Sequence, residues 1–251
     1  MEMRKVESRI VRWIKEQVKQ AGCKGIVVGL SGGIDSAVVG ALSKKAFPNN
    51  IQGVILPCLS NPQDKEHAEL VAKKFDIPVE TVDLEEIFKT KIKALTGEDY
   101  NHDKHQGLEF ANLKPRLRMI ALYYFANKHN YLVAGTDNKS ESMTGYFTKY
   151  GDGGVDILPI THLYKRDVRK LAKHLGVPEE IINKKPSAGL WHGQTDEDEM
   201  GITYDDLDEI LECIGTGKDL NKFNKEKVAK VKKMIKNTEH KRKLPPGCEL
   251  E

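Results

Sequence analysis

The sequence predicts an α/β fold in which a doubly wound parallel sheet lies between helical layers. Three observations predict it. Short apolar runs that read as strands alternate with helical segments over the first 175 residues. A glycine-rich turn joins the first such strand to the helix after it. No Pro/Gly/Ser-rich linker divides the 251 residues, so residues 1–251 are expected to form a single domain, long enough to bury a core without disulfides or metals.

The elements follow in order. Val6, Ile10, Ile14 and Val18 recur every fourth residue and predict an amphipathic opening helix, broken between Gly22 and Gly25. Residues 25–30 (GIVVGL) read as a short buried strand, and residues 36–43 as helix. Residues 51–56 form a second strand stopped by Pro57, and residues 64–75 a helix. A strand over 78–82 leads to a helix ending near Leu95, with Thr81 or Asp83 as its cap. Residues 96–106 are polar and read as a mobile loop. Residues 108–128 predict a long helix with Pro115 inside it, where proline removes a hydrogen bond and can kink the chain. Tyr131–Ala134 is the fourth strand. The loop-rich stretch after it carries a short helix at Lys139–Thr144, and Lys165–Leu175 is a helix stopped by Gly176 and Pro178. Residues 183–200 show no period, and helices are expected over 204–214 and 225–235.

Composition narrows the function classes. Hydrophobic residues at 39% and charged residues at 31% exclude a disordered tail and a membrane protein. The longest early apolar run, Ile26 to Leu30, is too short to span a bilayer, and no signal-peptide region is visible. A net charge of +3 is too small to imply a polyanion, and no nucleic-acid partner is expected. The four cysteines form no CxxC pair, which reads as reduced thiols in a cytoplasmic protein.

In parallel sheets ligands sit beyond the carboxyl ends of the strands, so the segments after Leu30, Leu56 and Ala134 are the first places to look for chemistry. Ser31-Gly32-Gly33-Ile34-Asp35-Ser36 occupies the first. Its glycines let a ligand approach the backbone N–H groups, and the helix start adds positive potential, so the turn suits a phosphate. It lacks the lysine of the GxxxxGK[ST] loop. Its structural alternative is a tight turn in which Ser31 or Asp35 merely caps the helix.

SGGIDS after GIVVGL resembles the phosphate loop of the ATP pyrophosphatase superfamily, whose members cleave ATP between the α- and β-phosphates. The block from Gly135 to Gly154, GTDNKSESMTGYFTKYGDGG, resembles the ammonia-dependent NAD synthetases within it. Further matches are Asn112 to Met119 (NLKPRLRM), Leu158-Pro159-Ile160, Lys165-Arg166, Pro186-Ser187-Ala188, Gly193 to Glu197, Tyr204, and Glu239 to Arg242 (EHKR). Together they cover residues 5–245. Pro115 departs from the family, which usually has alanine there, and this puts the geometry around Arg116 in question.

The resemblance implies a Rossmann-like, adenine nucleotide alpha hydrolase-like fold. It implies that Gly29, Leu30, Ser31, Gly32, Gly33, Ile34, Asp35 and Ser36 cradle ATP, with Thr136, Lys165 and Ser187. It implies Mg²⁺ on Asp35 and Glu141, and catalytic roles for Asp35, Glu141 and Lys165. Arg116, Lys149, Asp156, His240 and Lys241 would bind deamido-NAD. The implied reaction is amidation of deamido-NAD by ammonia through an acyl-adenylate, releasing pyrophosphate and AMP, in a homodimer.

Residue chemistry agrees in two places. Asp35 beside a phosphate would repel it unless a cation lay between them. Cations at the start of a helix, as in Lys165-Arg166, are opposed by its dipole and call for a nearby anion. Only 28 residues precede Gly29, so ammonia rather than glutamine is the expected nitrogen source. Two rivals stand beside this reading: an RNA-modifying enzyme of the same superfamily, using the eleven Lys/Arg of residues 218–243, and a non-catalytic adenine-nucleotide sensor.

Overall fold

A computed structural model describes residues 2–191 and 193–248. His192, within the aperiodic 183–200 segment, lies outside the described residues.

Helix α1 spans Met3–Gln20, β1 Gly25–Gly29, α2 Ile34–Ala46, β2 Ile51–Ile55 and α3 Pro62–Lys74. Then come β3 Val79–Thr81, α4 Glu85–Thr96, α5 Leu108–Ala111, α6 Leu113–His129 and β4 Tyr131–Ala134. The remainder is helical: α7 Lys139–Thr144, α8 Lys165–Leu175, α9 Glu179–Asn183, α10 Asp196–Met200, α11 Tyr204–Thr216 and α12 Lys225–Asn237, with a 3-10 turn at Glu239–Lys241.

The four strands form one parallel sheet in the order β3-β2-β1-β4. Val27 is in register with Gln52 on one side and Val133 on the other. Successive β1 side chains point to opposite faces. Ile26 and Val28 enter a cluster with α1, α2, α3, α8 and α9, whereas Val27 joins Val54, Val133, Phe88 and Phe125 under α4 and α6. Both faces are therefore covered, as the doubly wound expectation required. Each fully buried aliphatic side chain contributes about 1.5–3 kcal/mol. A third cluster, built on Tyr204, Leu207, Ile210, Leu211 and Val231, packs α11 and α12 with α7 and α10 beyond the sheet.

The chain leaves β3 at one edge and returns at β4, beside β1. Strand order thus reverses between β1 and β4, and the crevice at their carboxyl ends is the topological switch point where such sheets bind ligands.

Three local expectations are corrected. The long helix over 108–128 is two helices, α5 and α6, meeting at Asn112. Pro115 consequently lies in the first turn of α6, where its missing N–H has no partner within that helix to lose. Helix α3 starts earlier than residue 64 because the Asn61 side chain accepts from the Gln63 N–H and Pro62 occupies the first helical position. Within 183–200, Thr195 accepts from the Asp198 N–H and starts the five-residue helix α10, too short to show a period. Of the two candidate caps for α4, Asp83 accepts from the Glu85 N–H at 2.8 Å.

Candidate active site

The turn after β1 closes on itself. Ser36 Oγ donates to the Gly33 carbonyl at 3.0 Å and accepts from the Ser31 N–H at 3.2 Å. Ser31 Oγ accepts from the Gly33 N–H at 3.3 Å. Gly32 has φ +74°, and a Cβ there would lie 2.2 Å from the Asp64 carbonyl oxygen, so glycine is required on both counts. Gly33 is the N-cap of α2, and no side chain caps the helix. This corrects the capping alternative for Ser31 and Asp35. Both serines shape the turn, and the first-turn N–H groups of α2 are left for a ligand.

On the other side of the crevice, Asn138 starts α7 with a reciprocal cap: its side chain accepts from the Glu141 N–H, and Glu141 Oε2 accepts from the Asn138 N–H at 3.1 Å. This fixes Glu141 and leaves Oε1 for other partners. Asn138 Nδ2 also donates to Asp35 Oδ1 at 3.0 Å, which joins the two sides.

Lys165 completes the centre. It opens α8, its side chain is 3% exposed, and Nζ lies 2.5 Å from Asp35 Oδ2 and 3.3 Å from Glu141 Oε1. The anion expected near this helix start is therefore a pair of carboxylates. Burial disfavours the lysine charge, but Asp35 and Glu141 outweigh it and hold the ammonium above its ordinary range. Burial pushes Glu141 up to about 7, against the pull of Lys165. Tyr204, fully buried, bonds through its hydroxyl to Glu141 Oε1 at 3.1 Å and Asp196 Oδ2 at 2.9 Å, and its ring lies under the Lys165 ammonium.

Asp35, Glu141, Lys165 and Asp196 line a cavity of about 470 Å³, with Gly29, Leu30, Ser31, Gly33, Ile34, Ser36, Thr136, Ser187 and Lys241 also in its walls. Gly32, Arg116, Lys149, Asp156 and His240 do not line it. Arg116 and Lys149 lie beside each other instead: Arg116 donates to the Lys149 carbonyl at 3.4 Å, and Lys149 Nζ to the His240 carbonyl at 2.9 Å. Lys241 Nζ donates to the Gly145 and Phe147 carbonyls, and burial lowers its pKa. Asp156 accepts from Tyr123 Oη of α6 through one oxygen and from the Val133 N–H of β4 through the other, so it links these two elements.

Sequence reasoning assigned no role to Asn138, Asp137 or Lys184. The N-x-x-E spacing of Asn138 and Glu141 is a readable capping signature. Asp137 is 6% exposed, lines the cavity, and is pushed well above the usual carboxylate range by burial and by Asp152, Glu141 and Asp35. Lys184, at the end of α9, bonds to the Gly32 carbonyl and to Asp64, tying that point of the chain to the turn after β1; nothing in its neighbourhood in the sequence signals this.

The donor set suits a hard divalent cation. Asp35 and Glu141 already converge on one cationic group, Lys165 Nζ. Among the described residues no three His, Cys, Asp or Glu side chains cluster to hold a metal alone. Two carboxylates completed by phosphate oxygens and water is the shell Mg²⁺ prefers.

Residues 6–245 match the NAD synthase family. The chain is 48% identical over 242 residues to the NH3-dependent NAD+ synthetase of Finegoldia magna, covering 96% of this chain and 95% of that protein. An NMN synthetase from Francisella tularensis superposes with a TM-score of 0.90 at 35% identity, covering 100% of both chains. The NH3-dependent NAD synthetase of Campylobacter jejuni does so with a TM-score of 0.84 at 30% identity, covering 99% of this chain and 100% of that one.

Proposed function

The chain belongs to the NAD synthase family, and from that premise we infer that it is an ATP-dependent ligase that amidates deamido-NAD with ammonia to give NAD. The observation that carries the site assignment is the convergence of Asp35, Glu141 and Lys165 beside an uncapped α2 N-terminus, at the sheet's switch point.

The substrate carboxylate attacks the α-phosphate of ATP. The bond to the bridging oxygen breaks and pyrophosphate leaves; ammonia then displaces AMP from the acyl-adenylate. No protein nucleophile is needed. The first-turn N–H groups of α2 and the Ser31–Gly33 turn hold the departing pyrophosphate. Lys165 offsets negative charge as it develops on the transferring group. Asp35 and Glu141 hold Mg²⁺, with Thr136 and Ser187 on ATP. When bound, the metal supplies charge neutralisation between the two anionic reactants. Arg116, Lys149, His240 and Lys241 form the basic surface offered to deamido-NAD, and Asp156 orders the adjoining strand.

Residues 1–251 work as one domain, in a homodimer. Among the described residues no helix is long and apolar enough to cross a membrane. The free thiols of Cys23, Cys58 and Cys213 support a cytoplasmic location.

A second reading, amidation of the mononucleotide deamido-NMN, is favoured by the likeness to the Francisella tularensis NMN synthetase. One experiment separates them. Purified protein is given ATP, Mg²⁺ and ammonium with either deamido-NAD or deamido-NMN, and amide product, AMP and pyrophosphate are measured. Turnover confined to deamido-NAD supports the first reading, and preference for the mononucleotide the second. ADP with orthophosphate would overturn both.

A further inference from the structure

Helix α8 carries Lys165 at its start, yet its own N-cap residue, Tyr164, supplies no side-chain acceptor. Its first N–H groups are satisfied from elsewhere. The Lys165 N–H donates to Ser140 Oγ at 3.2 Å, and the Arg166 N–H to Asp208 Oδ2 at 2.9 Å. Ser140 Oγ in turn donates to Asp208 Oδ1. Asp208 lies on α11 and is 0% exposed. Ser140 and Arg166 are the chain neighbours of Glu141 and Lys165.

We propose that Asp208 is a positioning residue that sets Glu141 and Lys165 against each other, an inference that rests on the site assignment above. One carboxylate accepts from the backbone N–H that follows Lys165 and from the hydroxyl of the residue that precedes Glu141. It also orients the Ser140 hydroxyl: the proton is committed to Asp208, which leaves a lone pair for the Lys165 N–H. A serine or aspartate at position 164 would cap α8 but would not join it to α7. A carboxylate is kept in a buried place only where it is fully hydrogen-bonded, and here every bond it makes serves that junction. A second tie between α8 and α11, the ion pair of Arg166 with Glu212, is half-exposed and does not reach Ser140. It is the internal control.

The test compares Asp208→Asn, Ser140→Ala, Glu212→Gln and Lys165→Met in the full chain, by kcat, by KM for ATP and deamido-NAD, and by melting temperature. Misplacement of the pair should lower kcat about ten- to a hundredfold in Asp208→Asn and in Ser140→Ala, with each KM within about twofold of native. Their double variant should match the worse single, because both break one link. Glu212→Gln should keep native kcat. Native kcat in folded Asp208→Asn or Ser140→Ala, with Lys165→Met inactive, overturns the proposal and leaves the site assignment standing. Equal losses of kcat and melting temperature in Glu212→Gln also overturn it. If Asp208→Asn does not fold, Ser140→Ala decides by the same criteria. Native kcat in Lys165→Met overturns the site assignment and the proposal with it.

Discussion

The Lys165 ammonium lies 2.5 Å from the Asp35 carboxylate, which stands 130 positions earlier in the chain. The contact joins the start of α8 to the turn after β1 and holds positive charge where a polyphosphate would meet the sheet. The same ammonium also contacts Glu141, so one cation occupies a site that two carboxylates share.

Removing that cation should therefore cost more than a surface ion pair. Lys165→Met leaves Asp35 and Glu141 facing each other with little solvent, and loss of one partner from a buried pair costs about 3–5 kcal/mol. Thermal unfolding should show the loss. Mg²⁺ without nucleotide should restore more stability to the variant than to the native chain. A variant as stable as native, and indifferent to Mg²⁺, would contradict the arrangement.

Asp35→Asn and Glu141→Gln are nearly isosteric, and each should cut turnover by at least about a hundredfold while the fold survives. The double variant should lose little more than the worse single, as the proposal that both groups serve one ion requires. The check is kcat across a Mg²⁺ titration; near-native turnover of Asp35→Asn at limiting Mg²⁺ would speak against a metal role.

Gly32→Ala places a methyl 2.2 Å from the Asp64 carbonyl oxygen, at φ +74°. The turn has to open, and ATP affinity should fall by more than about tenfold, with the strain costing on the order of 1–3 kcal/mol. Calorimetric titration with ATP measures the first and denaturant unfolding the second.

Away from the site, Glu7 on α1 pairs with Lys45 on α2 and His174 on α8. Burial opposes its charge, but the bonds from Lys45 and His174 outweigh burial and hold the carboxyl below its usual 4.5. A depressed carboxyl stabilises the fold above its unfolded value, and that contribution is lost as pH falls through the depressed one. Glu7→Gln should therefore lose about 0.5–1 kcal/mol at pH 7 and progressively less below pH 4.5, measured by urea unfolding across pH. A loss independent of pH would point to packing instead.

Much of this protein was legible in order along the chain. Tyr131–Ala134, Lys139–Thr144 and Lys165–Leu175 have the bounds that periodicity and stop signals indicated. The turn from Ser31 to Ser36 could be read for phosphate because its glycines, hydroxyls and helix start are contiguous and make their hydrogen bonds with one another. The interruption that Pro115 signals falls one turn earlier than the proline itself, at Asn112, which leaves Pro115 in the first turn of α6. The centre is of another kind. Asp35, Glu141 and Lys165 meet only because β4 pairs beside β1 and α8 packs onto α2. Asp208 reaches Ser140 and Arg166 across 68 and 42 residues, respectively. Residue types and spacing record which groups a segment can offer. The distances between groups on different elements follow from strand order and helix packing, where many weak contacts act together and no single stretch of chain carries the signal.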